Sequence, residues 1–174
     1  MDDPPQSAGA LSARTLELAA GLVADAAQRS VGAWDGAADA QAQALELARR
    51  SVALGAINEE AYRGAVAALR GEFVPAAAET RDAALGDMLD RAAEAPLALA
   101  KTAADVAVLG GHVGEHAPDQ AAADAIAAAV VAAGVARATT HLVAVNLATR
   151  EDDPRLFQAR REVHRADDAL PDGV

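Results

Sequence analysis

The chain has no cysteine, and only four of its 174 residues are aromatic. Without cysteine there is neither a disulfide framework nor a thiolate metal site. With so few aromatic residues and only scattered valines, a β-sheet lacks its usual material. Lysine is almost absent too: Lys101 stands alone beside the arginines, and 26 acidic groups bring the net charge to −11. That balance removes the clustered positive charge on which nucleic-acid binding rests, and it disfavours an anionic membrane surface. No charge-free apolar run reaches the ~18–20 residues of a membrane span. The opening MDDPPQSAGA is acidic and carries prolines, unlike the basic and then apolar start of a signal peptide. The expectation is a cytoplasmic chain with no nucleic-acid and no membrane partner.

What is plentiful is alanine, 51 residues of it. Alanine is the best helix former, so the fold class is all-α, a bundle of about six helices in one domain spanning 1–174. Each alanine removes little apolar area from water, so the core must spread over long contacts, much of it between subunits. The helices fall at about 10–29, 37–54, 58–70, 75–109, 118–149 and 153–167. Gly55 is read as a stop, with Asn58 capping the next helix and Ile57 stapling onto Tyr62. Pro75 opens the fourth helix, and Pro96 bends or interrupts it. Gly110, Gly111 and Gly114 form a flexible connection. Asp153 caps the last helix, with Pro154 in its first turn.

The stretch 118–149 organises the chain as a long, buried central helix. At helical spacing Asp124, Ala128, Val131, Val135, Ala138, Leu142 and Asn146 share one face. His141 lies on a neighbouring row, either as a core histidine or as a general acid or base. Asp124 either stabilises the helix N-terminus or is a buried functional carboxylate. Asp124 and Asn146 are 22 residues apart, about 33 Å along a helix. They meet at one site only if a second subunit brings them together. His112 and His116 have i, i+4 spacing, but the glycines around His112 argue for a solvated loop and no metal site is expected. No Ser-His-Asp order, phosphate loop or dinucleotide fingerprint occurs.

Taken together, AAEAPLALA at 92–100, Asp124, VNL at 145–147 and NEEAYRGAVAAL at 58–69 resemble the cyclodeaminase domain of formiminotransferase-cyclodeaminase and the methenyltetrahydrofolate cyclohydrolases that share its fold. The resemblance covers about residues 5–168 and rests on the order and spacing of loose motifs. It implies an all-helical homodimer acting on a small molecule, a tetrahydrofolate one-carbon derivative, by methenyl hydrolysis or formimino cyclodeamination, with no further cofactor. It implies catalytic roles for Asp124 and His141 and binding roles for Gly9, Asn58, Tyr62, Lys101 and Asn146. Lys101, or arginines such as Arg137, would meet the glutamate tail of folate. The departures are specific. The family's Pro-Gly-Gly-Gly-Ser loop is here Pro5-Gln6-Ser7-Ala8-Gly9-Ala10, and the acid of its Asp-x-x-Ala-aromatic segment falls on Asn58. The Asn-rich approach to Asp124 is PDQAAA, and the first asparagine near the helix end is replaced by His141 or Leu142. They leave two other readings open: a relative with a non-folate substrate in a specialised pathway, or an inactive interaction subunit.

Overall fold

The computed structural model describes residues 7–70, 78–148, 150 and 152–171, and the described residues form six α-helices with no strand. They are α1 (Ala8–Arg29), α2 (Ala37–Leu69), α3 (Ala78–Ala92), α4 (Glu94–His116), α5 (Asp119–Asn146) and α6 (Pro154–Asp167). The all-α class and the helix count agree with the composition. One end agrees in detail. Asp153 caps α6, its side chain accepting from the Arg155 amide at 2.9 Å with Pro154 at the start. Helix α1 starts at Ala8, two residues earlier than expected, because the side chain of Ser7 caps it by accepting from the Ala10 amide at 3.1 Å. Pro75 lies outside the described residues.

Two expected boundaries differ, at Gly55 and at Gly110–Gly114, and packing explains each. No stop occurs at Gly55. There α2 continues, and the missing side chain lets α2 close on α1, since a Cβ on Gly55 would lie 2.9 Å from that of Ala13. Asn58 is therefore a buried mid-helix side chain and not a cap. Of the two effects expected of Pro96, the interruption occurs and the bend does not. The chain breaks at Ala93, and Pro96 falls in the first turn of α4, where its missing N–H has no helical partner to lose. Gly110, Gly111 and Gly114 are not a flexible connection. They sit within α4, and Gly110 and Gly114 pack on α5 beside Ala129 and Ile126. His112 and His116 are consequently on a helix, not in a loop.

The core lies between α1, α4 and α5, with α4 and α5 in the most extensive contact. On α5 the buried positions are Ala121, Ala125, Ala128, Ala129, Ala132, Ala133, Val135, Ala136, Thr139 and Val143. Small side chains have shallow ridges, so the two helices can approach closely along their whole length. Burying Thr139 costs little because its hydroxyl donates to the Val135 carbonyl at 2.8 Å. The expected inner stripe is thus displaced around the helix. Val131, Ala138 and His141 are exposed, and Asp124 and Asn146 lie at the margin. By length and apolarity alone α5 would pass for a membrane span; here its alanine seam packs on α4, as the core helix of a bundle does.

The other side of α5 is apolar and uncovered. Ala127, Val130, Val131, Gly134, Ala138 and Val145 are all exposed. Helix α1 runs antiparallel beside it, with Arg29 against Asp124 at one end and Ala8 near Val145 at the other. Leu11 and Leu18 of α1 are exposed as well.

Candidate functional site

Where the start of α1 meets the end of α5, a cleft of about 180 Å³ opens. Ser7, Gly9, Asn58, Tyr62, Pro96, Leu142, Val145 and Asn146 line it, together with Ala8, Ala65 and Ala92. Four elements contribute: α1 with its cap, the middle of α2, the break between α3 and α4, and the last turn of α5. Asn58 and Tyr62 share a face of α2 because they are one helical turn apart.

Contacts around Ser7 fix the polar rim. Its hydroxyl accepts from the Ala10 amide at 3.1 Å and from the Asn58 side-chain amide at 3.4 Å, and donates to Glu59 Oε2 at 3.0 Å. One donor and two acceptor lone pairs are all that a hydroxyl has, so Ser7 is fully engaged. Gly9 is buried against Asn58, and a Cβ at this position would overlap the Asn58 amide. The presence of Asn58 therefore requires glycine at position 9. On the opposite rim, Asn146 donates to the Ala92 carbonyl at 2.9 Å. That carbonyl ends α3 and has no helical donor of its own. The bond uses the Asn146 nitrogen and leaves its amide oxygen as the acceptor for a ligand. Alanine, proline, leucine and valine make the walls, a lining that suits a flat ring with a few fixed polar contacts.

The cleft brings together Gly9, Asn58, Tyr62 and Asn146, although they come from opposite ends of the sequence. It does not include the other three. Asp124 is at the far end of α5, paired with Arg29 of α1 at 2.5 Å, with both side chains about two-fifths exposed. His141 is exposed on α5, neither in the core nor in the cleft. Lys101 lies further along α4, where its carbonyl accepts from Arg165 of α6 at 3.3 Å, and Arg137 is tied to Asp167 at 2.6 Å. Sequence reasoning missed Ser7 and Glu59. Helix α2 is continuous at Glu59, whose carboxylate accepts from the hydroxyl of Ser7 on the rim of the cleft. A surface groove of about 450 Å³ runs over the contact between α1 and α2 nearby. Its charged groups, Arg14 and Glu17, already pair at 3.5 Å, so it presents less unused polar chemistry than the cleft.

Below the cleft, one arginine gathers the α3–α4 break and the start of α6. Arg155 bonds Asp153 at 2.7 Å, Glu94 at 2.8 Å, and Asp90. Hydrogen bonds from the Arg155 side chain and amide lower the Asp153 carboxyl from 3.8 to about 2. The same arginine, mainly through its side-chain hydrogen bond, lowers Asp90. This cluster braces Ala92 and Pro96, which form one wall of the cleft.

The sequence profile of the formiminotransferase-cyclodeaminase family matches residues 2–165. The chain belongs to that family. A comparison with curated proteins gave no match. Among solved structures, the formiminotetrahydrofolate cyclodeaminase of Thermotoga maritima is similar with a TM-score of 0.63 at 18% identity, over 98% of this chain and 90% of that one. At that identity the likeness establishes the shared fold. Family membership places the chain in a cyclodeaminase-type, folate-related group.

Proposed function

We propose that the cleft binds a reduced folate carrying a one-carbon unit and that the chain transforms that unit, by hydrolysis of the methenyl form or cyclodeamination of the formimino form. The observation that carries this reading is the convergence of Gly9, Asn58, Tyr62 and Asn146 on one apolar-walled cleft. In both reactions a nucleophile adds to a one-carbon centre bonded to nitrogen. In hydrolysis, water adds and must lose a proton. In cyclodeamination, a ring-closing amine adds and ammonia must leave with a proton. Glu59, hydrogen-bonded to the Ser7 hydroxyl, is the carboxylate placed to move that proton along the rim. Asn58, an amide, cannot act as a base and serves as a hydrogen-bond partner.

The working form in this proposal is a homodimer, and the uncovered apolar face of α1 and α5 supports it. Gly134 lies near the middle of that face, with open space where a Cβ would be, so a second helix could approach closely there. An antiparallel second copy centred near Gly134 brings its Asp124 to the same height as Asn146 of the first. That arrangement gives Asp124 a route to the site that one chain does not provide.

The test is hydrolysis of methenyltetrahydrofolate, followed by its near-ultraviolet absorbance. Wild type should accelerate it, and Glu59→Gln should lower kcat by about 10²–10⁴-fold while binding persists. Full activity in Glu59→Gln would remove its proton-transfer role. The second reading is an inactive interaction subunit, favoured by Asn58 at the family's acid position. Tight folate binding without turnover in wild type would support it.

A further inference from the structure

At the other end of α4 a second group of side chains converges, about 24 Å along the helix from Pro96. Because α4 is unbroken to His116, His112 and His116 lie one turn apart on the same face, with Glu115 beside them. All three are exposed, and one donor atom from each lies within 4.8 Å of the others. His112 Nδ1 is 4.0 Å from Glu115 Oε2. An ion with nitrogen and oxygen ligands at about 2.0–2.2 Å needs donors roughly 3.4 Å apart, so modest rotations of exposed side chains close the gap.

Two further contacts organise the group. His116 Nδ1 lies 2.9 Å from the His112 carbonyl oxygen. A carbonyl only accepts, so in the neutral ring Nδ1 carries the proton and Nε2 keeps a free lone pair, the form a metal binds. Trp34 covers the pair from the α1–α2 turn, stacked on His116 at 4.9 Å and edge-on to His112 at 5.2 Å. The turn holds the indole there: Gly32 has φ +90°, which only glycine adopts without strain, and a side chain on Gly36 would strike the Trp34 ring. The two imidazoles, 4.5 Å apart, are thereby confined before any ion arrives, which lowers the ordering cost of binding.

We propose that His112, Glu115 and His116 bind one divalent transition-metal ion, with water completing its coordination and Trp34 packed against the imidazole ligands. Imidazole with carboxylate suits Zn²⁺, Ni²⁺ or Cu²⁺, whereas Mg²⁺ prefers an all-oxygen shell. The order His-x-x-Glu-His also occurs on helices of zinc peptidases. Here all three residues are exposed at a helix end and not gathered in a closed cleft, so the site is a binding site and not a peptidase centre.

Trp34 is the sole tryptophan in the chain, so its emission reports on this position. Titration of the full-length protein with NiCl₂ or CuCl₂ should quench it saturably, and calorimetry with ZnCl₂ should give one ion per chain with micromolar affinity. MgCl₂ should do neither. His112→Ala/His116→Ala should abolish both signals while helix content by circular dichroism is kept, since alanine suits exposed helix positions. His141→Ala/His164→Ala, which removes the other two histidines, should change neither. Zinc binding of equal stoichiometry and affinity in the His112→Ala/His116→Ala protein would overturn the proposal. So would the absence of saturable heat below millimolar zinc in wild type.

Discussion

At the scale of single residues, Gly9 and Asn58 act as one unit. Gly→Ala inside a helix ordinarily stabilises by about 0.5–1 kcal/mol. At Gly9 the added methyl would enter the Asn58 amide, so Gly9→Ala should instead destabilise by about 1–3 kcal/mol, as overpacking does, and should weaken folate binding. Urea denaturation measures the first effect and ligand titration the second. A Gly9→Ala protein as stable as wild type would mean that Asn58 moves aside freely. The resemblance singled out Gly9, Asn58, Tyr62 and Asn146 from loose motifs, and the cleft unites all four. Ser7 and Glu59 were not legible, because their value is a contact between residues 52 positions apart. Asn58 was mistaken for a cap because an Asn followed by two Glu after a glycine has the local chemistry of a helix start. Only the packing of α1 on α2 overrides that preference.

At the scale of elements, the helices were legible where local chemistry decides their ends, as at Asp153-Pro154. They were misread where glycine serves contact between helices, as at Gly55 and Gly110. Periodicity showed that α5 is central and placed Ala128 and Val135 in the core, but it also favoured Val131 and Ala138, which are exposed, while close approach to α4 selects the alanines. Overfilling that seam tests the account. Ala132→Leu should cost about 1–3 kcal/mol, seen as a lower urea midpoint; an unchanged midpoint would mean that α4 and α5 are not closely packed. The Arg155 cluster predicts a pH dependence. The folded-state pKa of Asp153 lies near 2 against 3.8 ordinarily. Its contribution to stability is therefore complete above 3.8 and is lost as pH falls through about 2. Arg155→Met should lower the melting temperature at pH 6 and reduce the loss of stability that wild type shows between pH 4 and 2. Parallel pH profiles in the two proteins would contradict this.

At the scale of the whole molecule, the proposed dimer would join fold to activity through the apolar face of α1 and α5. Alanine-rich helices bury modest area within one chain, and the row from Ala127 to Val145 remains uncovered. One substitution there should act in opposite directions on the single chain and on the dimer. Gly134→Ala fills open space on one chain and adds about 0.5–1 kcal/mol of helix stability. If Gly134 is where two copies approach, the same methyl should loosen the dimer, which light scattering over a dilution series would detect. A protein that is monomeric at micromolar concentration would remove the shared-site proposal and leave the single-chain cleft untouched. The central claim rests on that cleft, and the rate of methenyltetrahydrofolate hydrolysis tests it most directly. The account predicts saturable acceleration by wild type and loss of that acceleration in Gly9→Ala. Neither acceleration nor binding of any reduced folate by the folded wild-type protein would contradict it.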